Sequence, residues 1–251
     1  LPGGLSSGDG VLTIEDAVAS FSGGTDDNRR FYFLHNLLRD PGVTNAHTIL
    51  HDGLTLTFRA RLTPPTDPLL ELSGVPPGFV NNTDGKGMFT VHQGRAPNNV
   101  TLSFSLNQAV EDLNTVNTFN FGQAGLHMNN LNGNSPGTAV DPGEGGQLNL
   151  FPLDPTVFHE FWITITPQGR AAGTHRVSIY LDGQRTPATF DVTAGVGVDT
   201  STSEPTLTNY LAFGLPNTSQ RGALDVDFIA YKPGVHLPTG FTDPVGFTDV
   251  P

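Results

Sequence analysis

The stretch Leu54-Thr55-Leu56-Thr57-Phe58-Arg59-Ala60-Arg61-Leu62 alternates apolar and polar side chains at every step. In an extended chain successive side chains point to opposite faces, so one face of this segment is apolar and the other carries Thr55, Thr57, Arg59 and Arg61. A helix would scatter the same residues around its circumference. The segment therefore reads as a strand with one face in a core, which is the pattern of an antiparallel sheet. Residues 100–106 repeat it, with Val100, Leu102, Phe104 and Leu106 against Thr101, Ser103 and Ser105, and so does Arg176-Val177-Ser178-Ile179-Tyr180-Leu181.

Further strands are expected over 88–92, 125–129, 147–151, 158–166, 189–192, 210–214 and 223–231. Asp182-Gly183 is the signal of a tight hairpin between Leu181 and a strand starting at Gln184, because both residues tolerate the positive φ of a type I′ turn. Residues 26–39 admit a helix through Phe31, Leu34 and Leu38, but Phe31, Phe33 and the aromatic content favour a strand. Segments 63–87, 130–146 and 194–208 are rich in Gly, Pro, Asn, Ser and Thr and read as long loops, either functional or decorative. The ends, 1–10 and 233–251, are also turn-rich. The expectation is one all-β domain, a two-sheet antiparallel sandwich over 1–251, with the tails engaged in subunit contacts.

The composition agrees. Thirty Gly and 20 Pro in 251 residues exclude long helices, while 36% hydrophobic residues, with 17 Phe, suffice for a core. No apolar run approaches the roughly 18 residues of a spanning helix. Twelve basic against 24 acidic residues give a net charge of −12, and the largest basic cluster is Arg29-Arg30, so a nucleic-acid partner is not expected. The absence of Cys excludes disulfides and thiolate chemistry. An acidic, Lys-poor chain that begins at Leu1 suits an extracellular protein whose leader has been removed, and its carboxylates suit a hard cation.

Taking the apolar alternates as core, the opposite faces carry Arg59, Arg61, His92, His127, Glu160, Trp162, Arg176 and Tyr180. An aromatic stacking surface among hydrogen-bonding groups is what a sugar ring requires, so these are the candidate ligand-binding residues. Trp162 also suits a core position. His47 and His51 lie in an extended segment, where four-residue spacing does not hold two imidazoles on one metal. No zinc, phosphate-loop or serine-nucleophile motif occurs. Sequons at Asn81, Asn99 and Asn217 mark possible glycosylation sites.

Three runs appear in a recognisable order: Phe158-His159-Glu160-Phe161-Trp162-Ile163-Thr164-Ile165, then Val177-Ser178-Ile179-Tyr180-Leu181-Asp182-Gly183, then Gly222-Ala223-Leu224-Asp225-Val226-Asp227-Phe228-Ile229-Ala230-Tyr231. With Asp84-Gly85-Lys86-Gly87-Met88-Phe89-Thr90-Val91-His92 before them, the chain resembles the concanavalin A-like lectin/glucanase superfamily over 11–237, and within it the laminin-G-like jelly rolls of secreted bacterial proteins. The resemblance implies a jelly roll of two curved sheets with sugars on the concave sheet or its rim. It also implies a structural calcium bridging an early segment to the last strand, with Asp225 and Asp227 as metal ligands and Asp16 or Asp9 as early partners.

Hydrolases of that fold carry Glu-x-Asp-x-Glu on one strand face. None of the six Glu here has that pattern, and Asp225-x-Asp227 lacks a third carboxylate. Lyases of that fold use Tyr, His and Arg or Gln beside a neutralised uronate. His92-Gln93-Gly94-Arg95, with His127 nearby, offers part of such a set without the family's motifs. The leading expectation is thus an extracellular, non-catalytic protein that binds glycan, self-assembles at the cell surface, or does both. The alternatives are a filament or surface-layer subunit with no glycan ligand, and a polysaccharide lyase or glycoside hydrolase with an atypical site.

Overall fold

A computed structural model describes residues 4–8, 10–16, 31–37, 53–63, 88–95, 98–107, 125–130, 147–167, 174–193, 209–215, 222–238 and 248–249. They form β1 (Gly4–Gly8), β2 (Val11–Asp16), β3 (Phe31–Asn36), β4 (Leu54–Thr63), β5 (Phe89–Arg95), β6 (Asn98–Asn107), β7 (Gly125–Asn130), β8 (Gln147–Pro152), β9 (His159–Pro167), β10 (Thr174–Leu181), β11 (Ala188–Thr193), β12 (Asn209–Leu215), β13 (Gly222–Pro233) and β14 (Thr248–Asp249). The larger sheet runs β1-β2-β13-β4-β9-β10-β11, with β14 also on β13, and the smaller runs β3-β12-β5-β6-β7-β8. Every pairing in both sheets is antiparallel. The result is a two-sheet antiparallel sandwich of the jelly-roll kind.

The alternation of residues 54–62 sets the packing. Leu54, Leu56, Phe58, Ala60 and Leu62 are all buried in the shared core. Phe58 stacks on Phe89 of the facing sheet at 3.8 Å between ring centroids and meets Phe161 of its own sheet at 5.0 Å. From the other side come Val91, Leu102, Phe104, Leu211 and Phe213. Removing such a ring costs about 3–5 kcal/mol, because the lost contacts add to the cavity left behind.

Three expectations are refined by the fold. Of residues 26–39, the part in β3 is a strand, as the aromatic content favours. Asp182 and Gly183 do take positive φ, 47° and 70°, and Gln184 N closes the turn on the Leu181 carbonyl at 2.8 Å. The ladder resumes only at Ala188, however, not at Gln184. Pro187 has no N–H to offer it earlier. The described parts of the tails are engaged within the chain: β1 forms a hairpin with β2, and β14 adds to β13 through Ala230 and Tyr231. Segments 64–87, 131–146 and 194–208, expected as loops, with Asp9, His47, His51, Asn81 and Asn217, lie outside the described residues.

β13 contains a bulge. Val226 opposes Ala60 and Phe228 opposes Arg59, leaving Asp227 as the extra residue. Such an insertion re-aims a side chain at the sheet surface, and here Asp227 reaches Arg59.

Candidate functional site

The sequence-derived candidates divide between the outer faces of the two sheets. Register places Arg59 opposite Glu160, Thr57 opposite Trp162, and Trp162 opposite Tyr180, so Arg59, Arg61, Glu160, Trp162, Arg176 and Tyr180 share the outer face of the larger sheet. His92 and His127 belong to the smaller sheet. The candidates therefore do not all share one face.

On the larger sheet the polar groups are engaged with the protein itself. Trp162 Nε1 donates to the His236 carbonyl at 2.8 Å, beneath a segment that Thr55 holds: Thr55 Oγ1 donates to the Gly234 carbonyl and accepts from His236 N, both at 2.9 Å. Trp162 is left 9% exposed, with its indole N–H taken up by the His236 carbonyl. Arg59 pairs with Asp227, and both Arg59 and Arg61 lie over the Phe158 ring, at 4.9 and 4.5 Å. Asp225 is buried and accepts from Thr13 at 2.7 Å, Arg61 at 2.8 Å and Thr63 at 2.7 Å. Burial opposes ionisation of this carboxyl, but the bonds from Thr13, Thr63 and Arg61 outweigh it and hold the group below the usual carboxylate range. Asp225 is thus turned toward hydroxyls and a guanidinium. Among the described residues no three His, Asp or Glu side chains gather in a way that would hold a metal.

The outer face of the smaller sheet differs. Phe89 and Val91 point to the core, which turns Thr90 and His92 outward; by the same alternation β12 presents Tyr210 and Ala212, and β6 presents Ser103 and Ser105. His92 and Tyr210 are cross-strand partners, their rings stacked at 4.9 Å and 19°. Asn36 of β3 stands on the other side of Tyr210 and Thr101 of β6 beyond His92, which makes one row across four strands, Asn36-Tyr210-His92-Thr101. In the adjacent row Thr90 and Ser103 share a hydrogen bond of 2.9 Å. His92 is 6% exposed and Ser103 and Ser105 are each 1% exposed, although none faces the sandwich core. Burial pushes the Tyr210 phenol up, so it is protonated at neutral pH.

His127 does not neighbour His92. It pairs with Ser105, whereas His92 pairs with Thr101, so the two are separated by the intervening strand β6 and by roughly 13 Å along the strand direction. Tyr210 and Asn36 were not among the sequence candidates. The available signal was the alternation of Tyr210, Ala212 and Gly214 against Leu211, Phe213 and Leu215, but Tyr180 alternates equally well, and only the strand order separates them.

No protein-family model matches the chain, and the search among curated proteins gives no match. Solved structures do. An endo-β-1,4-glucuronan lyase from the fungus Trichoderma reesei is similar with a TM-score of 0.44 and 13% identity, covering 94% of this chain and 88% of that one. An alginate lyase from Chlorella virus gives 0.40 and 13% over 92% and 89%, and an alginate lyase in complex with dimannuronate gives 0.40 and 13% over 90% and 75%. These are similarities of fold. The architecture is shared with polysaccharide lyases, and the narrower resemblance to laminin-G-like bacterial lectins is not reproduced. The expectation that leaned against an enzyme is corrected here, the solved structures of similar fold being lyases, although the likeness is one of fold alone. Its premise was also narrow: a missing Glu-x-Asp-x-Glu strand excludes one hydrolytic mechanism and leaves acid–base elimination open.

Proposed function

We propose that the protein takes an acidic polysaccharide on the outer face of the smaller sheet and cleaves it by β-elimination, with His92 as base and Tyr210 as acid. The stacked His92–Tyr210 pair supports this reading: two groups able to exchange protons stand side by side on a face lined by hydroxyls. The neutral imidazole takes the proton from C5 of a uronate, and the electrons of that C–H bond form the C4–C5 double bond. The C4–O bond breaks, and the departing oxygen takes the phenolic proton of Tyr210. Burial keeps Tyr210 in the donor state that this step needs. Asn36, next in the row, donates its amide to the uronate carboxylate and so makes C5 acidic enough to lose its proton. An extracellular setting fits both an acidic, Lys-poor chain and a polymeric substrate.

The test is incubation with glucuronan, alginate and a neutral glucan, following the ultraviolet absorbance of the unsaturated uronate. Product from a uronate polymer, lost in Tyr210→Phe and His92→Ala, is the expected result. Retention of a uronate polymer without unsaturated product would reduce the protein to a binding module and overturn the elimination.

A further inference from the structure

We propose that Tyr231, in the core of the opposite sheet, is a positioning residue for this site, acting through His35 on Asn36. The inference rests on reading the outer face of the smaller sheet as the functional one. Asn36 belongs to β3, which among the described residues is an edge strand of that sheet and pairs only with β12. An edge strand is held laterally by one neighbour, so its inward side chains fix its rotation about its own axis and therefore the position of its outward residues.

Two inward contacts of β3 stand out. Phe33 stacks on Phe213 at 5.0 Å and 15°, a bond within the sheet. His35 instead crosses the sandwich: its Nε2 shares a 3.1 Å hydrogen bond with the Tyr231 hydroxyl, and the two rings lie 5.6 Å apart. Tyr231 is 1% exposed and sits in β13, opposite Leu56 of β4, at the centre of the larger sheet. A buried phenol needs a partner for its hydroxyl, and β3 supplies it. His35 is the residue immediately before Asn36. The cross-sheet bond thus pins the strand one position from the group that completes the Asn36-Tyr210-His92 row.

Tyr231→Phe removes one oxygen and keeps the ring in place. The expected result, read by heteronuclear NMR of the full chain, is a shift of the Asn36 side-chain amide and the Tyr210 backbone amide, with the Trp162 indole resonance on the far face unmoved. In kinetics on a uronate polymer, KM rises about fivefold, the effect of one hydrogen bond, while kcat changes less. The double variant Tyr231→Phe/Asn36→Ala then behaves as Asn36→Ala alone, because Tyr231 acts through Asn36. Should Tyr231→Phe fail to fold, His35→Gln, which keeps a donor for the phenol oxygen, should hold the Asn36 resonance near its native position, and His35→Leu should move it. Unmoved Asn36 resonances, or strictly additive kinetic losses, would overturn the proposal. A protein inactive on every uronate polymer would sink the elimination mechanism instead, and the NMR comparison alone would still decide the positioning role.

Discussion

On the outer face of the larger sheet Arg59 meets Asp227, Arg61 meets Asp225, and Trp162 meets the His236 carbonyl. On the outer face of the smaller sheet His92 and Tyr210 stack on each other above a floor of Thr90, Ser103 and Ser105. Both faces arise from the same alternation of side chains along a strand, and both carry residues with useful chemistry. They differ in what the polar tips meet. The matched guanidinium and carboxylate groups join β4 to β13, and the indole bond to a carbonyl secures the segment that follows β13 to the sheet. Where an imidazole and a phenol stack on each other, the pair is suited to passing protons.

The sharpest way to break this contrast is through catalysis. His92→Ala should lower turnover of a uronate polymer by about 10²–10⁴-fold, while Arg59→Gln on the opposite face leaves it within a factor of about two, both read as unsaturated product. Loss of activity in Arg59→Gln alone would reverse the assignment of the two faces. Activity should also persist to alkaline pH: a phenol ordinarily titrates near pH 10 and burial raises Tyr210 further, so its donor form is lost only above that value.

Stability should respond in the opposite order. Trp162→Ala is expected to cost about 3–5 kcal/mol in denaturant unfolding, with the remaining folded protein keeping its turnover number. Trp162→Phe, which loses the bond to the His236 carbonyl but keeps a ring, should cost about 1 kcal/mol.

Asp225 provides a smaller effect. Its folded pKa is depressed, so its contribution is fully present above the unfolded carboxylate value of about 3.9 and is lost as pH falls through the folded value. Asp225→Asn should cost about 2 kcal/mol at neutral pH, a figure held down because Arg61 is 40% exposed, and should flatten the acid limb of the stability profile. The calcium expectation at Asp225 and Asp227 is tested by thermal melting. Excess chelator should produce the least change of the series, since Thr13, Arg61 and Thr63 already occupy the Asp225 oxygens; a fall of several degrees would restore the metal.

Much of the strand framework was legible. Residues 54–62, 100–106 and 176–181 alternate with the period of a strand, and each lies in one, although Thr55, Thr57, Ser103 and Ser105 on the outward side are buried as well. The site was legible only in part. His92 was recognised as outward-facing, but Tyr180 was grouped with it and Tyr210 was not, because alternation reports the inward or outward sense of a residue and nothing about which sheet receives the strand. Trp162 was read both as a sugar platform and as core. It is on the outer face, yet covered, a state that depends on where residues 234–238 return.

What the sequence determined by itself was local: an all-β chain, the residues that line the core, and the positive-φ turn at Asp182-Gly183. Period-two alternation and left-handed backbone preference are properties of neighbouring residues and need no distant contact. The tertiary structure decided which strands lie side by side. Thr13 reaches Asp225 across 212 positions of sequence, and His35 reaches Tyr231 across 196. Such pairings are selected by the packing of the whole sandwich and by the strand order it imposes, so the His92–Tyr210 pair came into being only when β5 and β12 became neighbours.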